Sequence, residues 1–419
     1  MRRRAGLAAA SPLQDWRFLL GLFCVETLIE VTAWGHMVAF TPLFLARELG
    51  LDPDAVTFWT GVLAAMPLFL AVPLAPFWGV FSDRYSRKLM IIRSLAFEAV
   101  GYVVIALSHS LVALILVRLL LGLTYGNNAL IVAALSLVVP DRRLGTAVGL
   151  VMMMFPIGLS TGPLLGSALI ALLGLRGMFA MDAALCMVAV LALLFGFREP
   201  PRAAREALPA IRAQLGTVFA TVQRVPSIRW NFAVWFLVGG GAAVLDPFIP
   251  VLIGHVYSGP ALAATIGLLL GIYGVASGLF TPLVPRLADR IGEPRTLALA
   301  SLVLCLVAFA LPLSGGVALL ALLLLVRAAP QAATTTALYT HLARHVPRDQ
   351  RGGVMALSPL PRNIAMLLMP ILASALSAFG LGAAFVLAGL LFLGSLGCAL
   401  LLERSERPLA LTTPRPSDA

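Results

Sequence analysis

Long apolar segments alternate with short polar ones along most of the chain. An apolar helix of about 20 residues crosses a hydrocarbon core of about 30 Å, so this pattern predicts transmembrane helices. The first segment extends from near Trp16 to about Leu45, which is too long for a signal peptide, and we expect a retained helix. Twelve spans are predicted, at residues 17–46, 56–80, 89–107, 111–138, 145–173, 177–197, 229–256, 261–285, 296–313, 316–340, 352–378 and 382–402.

Composition supports a lipid environment. Hydrophobic residues make up 60% of the 419, charged residues make up 12%, and the mean hydropathy is +0.97. Because a soluble domain usually carries about 25% charged residues, these values predict an all-α membrane protein. No disulfide, metal site or cofactor is expected, since the cysteines lie in apolar segments without paired spacing, at Cys24, Cys186, Cys305 and Cys398.

The net charge of +11 would suit nucleic-acid binding if the basic residues formed one patch. Their positions follow the spans instead. With both termini cytoplasmic, only Arg47 and Arg176 fall in outer connections, and Arg118, Arg327 and Arg362 fall within spans. All the other basic residues lie on the cytoplasmic side, as the positive-inside rule requires. The charge is therefore a topology signal, and nucleic acid is excluded as a partner.

The two halves of the chain repeat. The predicted organisation is a six-helix bundle at 1–197, a cytoplasmic linker at 198–228, a second six-helix bundle at 229–403 and a cytoplasmic tail at 404–419. Two six-span repeats with a site near the midplane between them are typical of secondary transporters. The matched pairs include Pro140 with Pro347, Gly145 with Gly352, Pro163 with Pro370, and Asp83-Arg84 with Asp289-Arg290.

A carboxylate among cations follows span 2. The loop contains Gly79, Asp83, Arg84, Arg87 and Lys88. Asp83 can pair with these cations or with a helix N-terminus and form a latch that opens when the halves move, although the loop is equally explained as a basic topology signal. A repeat copy contains Asp289 and Arg290, but Pro285 replaces its first glycine, so we expect the first copy to dominate.

Small residues recur every four positions in span 5, at Gly158, Gly162 and Gly166, and Pro163 is expected to bend this helix. Such a face permits close helix packing. Span 8 offers the predicted partner face, with Gly267, Gly271, Gly274 and Gly278.

These strings resemble known motifs. The span-2 loop is similar to the signature loop of the major facilitator superfamily, although Ser86 stands where glycine is usual. Arg118-Leu-Leu-Leu-Gly122 resembles its fourth-helix motif, with Leu121 in place of glutamine, and Gly158 to Gly166 resembles the antiporter motif of its drug:proton exporters. The resemblance covers about residues 16–402. It implies a twelve-helix major facilitator fold that works by alternating access, as in bacterial multidrug and tetracycline-type efflux.

Charges inside a membrane are costly and are therefore functional candidates. At 1.5 Å per residue, Glu26 and Glu30 of span 1 lie about 14 and 20 Å from the cytoplasmic edge, and Arg118 of span 4 lies about 20 Å from it. Depth therefore predicts a gating or structural pair between Glu30 and Arg118. Glu26 has no cation at its depth and is the predicted carrier of a coupling proton. Glu98 is either functional or paired with Arg93 or Arg118.

Other polar residues in or near the spans are weaker candidates. We expect Asp182 to be a solvated helix end. Arg327 and Arg362 either bind an anionic group together with Asn363 or are matched by Asp246. Two span-4 residues are candidates for lining a cavity, Asn127 and Asn128.

The function predicted from these residues and the resemblance is proton-coupled export of small drug-like molecules. The alternative on the same fold is an importer, or an exporter or flippase of an anionic metabolite or lipid, because the intramembrane arginines suit an anion. A membrane enzyme would need a cluster of His, Asp, Glu or Cys side chains at one membrane face, and the five histidines do not form such a cluster. We therefore expect a monomeric transporter, not an enzyme, in the bacterial inner membrane, with protons, lipid and a small molecule as its partners.

Overall fold

The structure is a computed structural model that describes residues 15–84, 86–199, 222–346, 354–355 and 357–410, without the side chains of 75–84, 129, 141, 284–285 and 406–410. The described residues form helices and no strand. The helices are α1 (Trp16–Arg47), α2 (Pro53–Arg84), α3 (Arg87–Leu107), α4 (Leu111–Leu121), α5 (Asn127–Val138), α6 (Asp141–Gly196), α7 (Pro226–Val256), α8 (Leu262–Phe280), α9 (Val284–Ile291), α10 (Glu293–Ala310), α11 (Val317–His345), α12 (Leu360–Leu376) and α13 (Leu381–Ala410).

The predicted spans are all present among these helices. Within the described residues, ten helices are long and apolar enough to cross a membrane. One of them, α6, holds spans 5 and 6, because its backbone breaks at Gly174, where φ is 75°. Glycine adopts this left-handed conformation without the steric cost that a side chain would add. Span 4 completes the set as two shorter helices, so the predicted all-α twelve-span class is confirmed.

Span 4 is broken in its middle, and the prediction of one continuous helix over 111–138 is wrong there. A 3-10 turn at Gly122–Thr124 follows α4, Tyr125 is extended, and Gly126 has a φ of 97° before α5 begins. A helix break inside the membrane leaves backbone N–H and C=O groups without helical partners, and no water is present to bind them. Arg93 of α3 compensates for one of them by donating to the carbonyl of Leu123 at 3.0 Å.

The chain divides into two compact units whose borders interrupt α1 and α2. The first unit comprises residues up to Phe40 together with Phe69–Glu206, and the second comprises Thr41–Leu68 together with residues from Ala207 onward. The predicted linker, 198–228, lies largely outside the described residues, so the predicted domain limits stay predictions.

In the first unit the core forms between α1, α3, α5 and α6. Its buried side chains include Phe23, Ile91, Ile131 and Leu193. In the second unit α7 packs against α12 and α13, and α10 packs against α11 and α13. Large apolar residues also project outward, such as Leu172 at 80% exposure, as expected for helices that face lipid.

The glycine face of span 5, in the first part of α6, packs on α1. A Cβ at Gly158 would lie 3.0 Å from Cβ of Val31, and one at Gly162 would lie 2.9 Å from the carbonyl oxygen of Thr32. Further along, a Cβ at Gly166 would lie 2.6 Å from the ring of His36. Within the first unit, span 1 is therefore the partner of this face, and the predicted contact with span 8, which belongs to the second unit, stays a prediction.

We predict that Gly162→Leu destabilises the protein by about 1–3 kcal/mol, because the new side chain must push two backbones apart. Gly149→Leu is the matched control, since it lies in the same helix with nothing within 4 Å of its Cβ position. Thermal unfolding in detergent compares the two. Equal melting temperatures for both variants would contradict the close crossing of α1 and span 5.

Candidate functional site

Two carboxylates of α1 share one amide of span 4. Nδ2 of Asn127 donates to Oε1 of Glu26 and to Oε2 of Glu30, both at 2.7 Å. Thr27 adds a hydroxyl bond of 3.2 Å to the other oxygen of Glu26. Glu26 is fully buried, whereas Glu30 is partly open. Spacing explains the pair, since residues four apart lie on one helix face.

The break in span 4 puts Asn127 in this position. Asn127 is the first residue of α5, and the left-handed Gly126 directly before it sets the direction in which the half-helix starts. Backbone N–H groups at a helix N-terminus carry partial positive charge, so α5 begins beside the carboxylates with its favourable end. Asn127 was predicted only to line a cavity. The depths of residues along spans 1 and 4 gave no indication that it contacts both acids.

The partner that the structure gives Glu30 is therefore Asn127, and not Arg118 as depth predicts. The depth calculation treats span 4 as a straight helix, whereas Arg118 lies in α4, before the break. Arg118 is buried and lies within electrostatic range of Tyr102 and Tyr125. Glu98 of α3 is also buried, within electrostatic range of Glu26 and Glu30. Three acids and Arg118 thus lie in the interior of the first unit.

A buried histidine–aspartate pair lies further along α1. Nδ1 of His36 is 2.8 Å and 3.0 Å from the two carboxylate oxygens of Asp182 on span 6. Each residue is only 1% exposed. The expectation that Asp182 is a solvated helix end is wrong, because span 1 covers it. No sequence signal identified the pair, because only the packing of span 1 against span 6 brings the two residues together.

The second unit holds an ion pair between α7 and α11. Nη2 of Arg327 on α11 donates to Oδ1 of Asp246 on α7 at 2.6 Å, and its guanidinium lies 4.8 Å from the ring centroid of Tyr273 on α8. Arg327 is 1% exposed and Asp246 is 48% exposed. Two alternatives were predicted for Arg327, binding of an anionic group or pairing with Asp246. The structure shows the pair with Asp246. Arg362 is exposed and packs its stem on Gly239, next to Asn363.

Part of the predicted cytoplasmic latch can be placed. Glu199, after span 6, accepts hydrogen bonds from the hydroxyl of Ser86 and from the backbone N–H groups of Arg87 and Lys88, so it caps α3. Sequence reasoning missed this role of Glu199. The side chains of Asp83 and Arg84, and the surroundings of Gly79, lie outside the description, and their roles stay predictions.

The repeat copy of the latch is visible in the second unit. Arg344 at the end of α11 donates to Asp289 of α9 at 3.1 Å and also to Glu293 at the start of α10. Arg290 lies in the last turn of α9. The second copy therefore contains a formed ion-pair cluster. We did not expect this cluster, because Pro285 replaces the first glycine in this copy.

A chain of two unequal helical units, with twelve spans and buried charges inside each unit, belongs to the class of polytopic transporters. The family model of the Major Facilitator Superfamily matches residues 22–265 and 260–417. The chain belongs to this superfamily. It is therefore a multi-pass membrane transporter and not an enzyme, as the motifs predict.

Similarity to individual proteins is lower but extends over nearly the full length. The chain is 26% identical over 406 residues to Multidrug resistance protein MdtG of Klebsiella pneumoniae (strain 342), covering 95% of this chain and 96% of that protein. MdtG of Citrobacter koseri is 26% identical over 401 residues, with 94% and 98% covered. Among solved structures, the nucleoside transporter NupG superposes with a TM-score of 0.73 at 16% identity, covering 92% and 98% of the two chains. A bacterial homologue of the human lysosomal transporter Spinster gives 0.74 at 16%, covering 98% and 100%.

We predict that Asn127→Ala lowers stability by about 1–3 kcal/mol, because two carboxylates lose their shared donor. The amide favours the ionised carboxylates, so its loss matters least when both are protonated. The deficit relative to wild type should therefore grow as pH rises from about 5 to about 8. Melting temperatures across this range test it, with Asn128→Ala as control. A deficit independent of pH would show that Asn127 contributes packing alone.

We predict that Asp246→Asn destabilises the second unit by about 1–3 kcal/mol, a value below that of a fully buried pair because Asp246 is half exposed. The loss arises because the buried Arg327 keeps its charge without a carboxylate. Asp246→Asn combined with Arg327→Gln should recover part of the loss. A double-mutant cycle on thermal unfolding measures the coupling, and additive effects would contradict a functional ion pair.

Proposed function

We propose that this transporter exports small drug-like molecules in exchange for protons by alternating access. We further propose that it works as a monomer in the bacterial inner membrane, with both termini cytoplasmic. The observation that carries the proposal is the pair of carboxylates, Glu26 and Glu30, held by the single neutral amide of Asn127. Such a site binds protons without any cofactor.

Electrostatics supports proton binding at this pair. Two negative charges one helix turn apart repel each other, and the hydrogen bonds of a neutral amide stabilise both carboxylates without cancelling either charge. The pair is therefore most stable with one proton bound. Glu26 is fully buried and is the group less able to stay charged, so it holds the proton. Glu30 is partly open and exchanges the proton with the aqueous side. Arg118 limits the net negative charge of the interior.

Coupling follows from competition at this site. A cationic or polar drug near Glu30 favours the ionised pair and releases the proton, while a proton from outside neutralises the pair and releases the drug. Charge states differ between the two steps, so each favours a different arrangement of the helices. The close crossing of span 5 with α1 at Val31 and Thr32 supports this proposal, because this part of span 5 resembles the antiporter motif.

Drugs are the proposed substrates because the MdtG proteins, similar over nearly the full length, are multidrug resistance proteins by name. The alternative is an anionic substrate, either imported or exported. Its support is Arg362, an exposed cation on α12 beside the polar Asn363. Asp246 pairs with Arg327, so of the two intramembrane arginines of the second unit we assign Arg362 to the contact with an anionic substrate.

The test combines drug susceptibility with proton release. Cells that express the chain should tolerate several chemical classes better than cells that express Glu26→Gln. Purified protein in detergent should release a proton when a drug binds. Glu26→Gln and Glu30→Gln should each abolish this release, whereas Asp54→Asn, in an exposed outer position, should preserve it. Unchanged release in both glutamine variants would remove the carboxylate pair from the mechanism. Sensitisation of the cells, together with uptake of anions by proteoliposomes, would favour the alternative.

A further inference from the structure

The proposed cycle leaves the buried pair of His36 and Asp182 without a role. An ionised carboxylate only accepts hydrogen bonds, so Nδ1 of His36, which lies close to both of its oxygens, carries the hydrogen. The basic lone pair of the imidazole is then on Nε2. This nitrogen is buried and has no hydrogen-bond partner among the described residues. The geometry therefore leaves Nε2 of His36 as a buried proton acceptor without a partner among the described residues.

We propose that Nε2 of His36 is a second proton-binding site of the transport cycle, separate from the carboxylate pair. The proposal rests on proton-coupled transport as the proposed function. With a neutral imidazole the pair has a net charge of −1. A proton that binds Nε2 converts it to an imidazolium–carboxylate ion pair with no net charge, and a buried site of low dielectric favours this state.

Asp182 is the charged group in direct contact with the ring of His36. Tyr102 of α3 and Cys186, one turn further along span 6, lie within electrostatic range of Asp182. Towards the outer end of the same helix, Arg176 donates to the carbonyls of Ala106 and Ser108. Span 5 contributes no side chain at its contact with the ring, because that residue is Gly166.

Position links this site to the cycle. His36 follows Glu30 by six residues, which places it about 9 Å further along α1 towards the outside. A proton from outside therefore reaches the depth of His36 before that of the carboxylate pair. Nε2 lies 3.2 Å from the Cβ position of Gly166, so protonation adds a hydrogen-bond donor at the crossing of α1 and span 5. The proton is thus bound where the antiporter motif holds the two helices together.

A direct test observes the ring itself. The chain has five histidines, so nitrogen-15 labelling of histidine gives few signals, and His36→Gln assigns one by its loss. In the wild type, the His36 signals should show that Nε2 gains a proton when the medium is acidified. Asp182→Asn should leave Nε2 without a proton in the same series. A wild-type ring that keeps one protonation state throughout overturns the proposal, and this result needs no variant to fold.

A second test counts protons. With an imposed gradient of one pH unit, each coupled proton multiplies the attainable drug gradient by about ten. His36→Gln should therefore lower the steady-state drug gradient in proteoliposomes about tenfold, whereas His255→Gln, which changes an exposed ring, should leave it unchanged. An unchanged gradient in His36→Gln overturns the second site. If the wild type itself builds no proton-driven gradient while His36 still titrates, the proposed function fails and the proton site stands.

Discussion

The absence of water in the hydrocarbon core is the constraint on which this structure depends. Each polar group there must find its partner within the protein. Span 4 breaks between Leu121 and Asn127, and the break persists because Arg93 and Thr124 bind the carbonyls of Leu123 and Leu121. An unbroken helix would satisfy its own backbone more simply. What the break provides is an amide at the start of α5, in contact with two acids of α1.

Close helix packing is the second requirement, and it explains why span 1 carries so much of the chemistry. The glycines of span 5 let its backbone approach α1 within direct contact. Because α1 is enclosed by span 5 on one side and α5 on another, its polar side chains are removed from lipid. Charged residues in this helix therefore meet protein groups, and the cost of burying them is compensated by Asn127 and Asp182.

Sequence patterns predicted the parts of this architecture that depend on period and composition. Twelve spans, the candidates Glu26, Glu30, Asp246 and Arg327, and the superfamily follow from hydropathy, intramembrane charge and motif. Pairings were predicted less well, because rise per residue assumes a straight helix and gives no rotation about its axis. Asn127, and not Arg118, is the partner of Glu30 because span 4 is not a straight helix. Span 1 was missed as a partner of the glycine face because depth gives no rotation about the helix axis.

The roles of His36, Asp182 and Glu199 were missed for a similar physical reason. A lone histidine or aspartate near a predicted helix end looks solvated until the neighbouring helix is placed, and only tertiary packing buried His36 and Asp182 together. Glu199 was missed for the same reason at the end of span 6, where it caps α3. Packing decides the chemistry in each case. In water these carboxylates would be ordinary charged groups, whereas in the protein Asp182 pairs with His36, and Glu199 accepts hydrogen bonds from Ser86, Arg87 and Lys88. Each carboxylate is therefore linked to the packing of two helices.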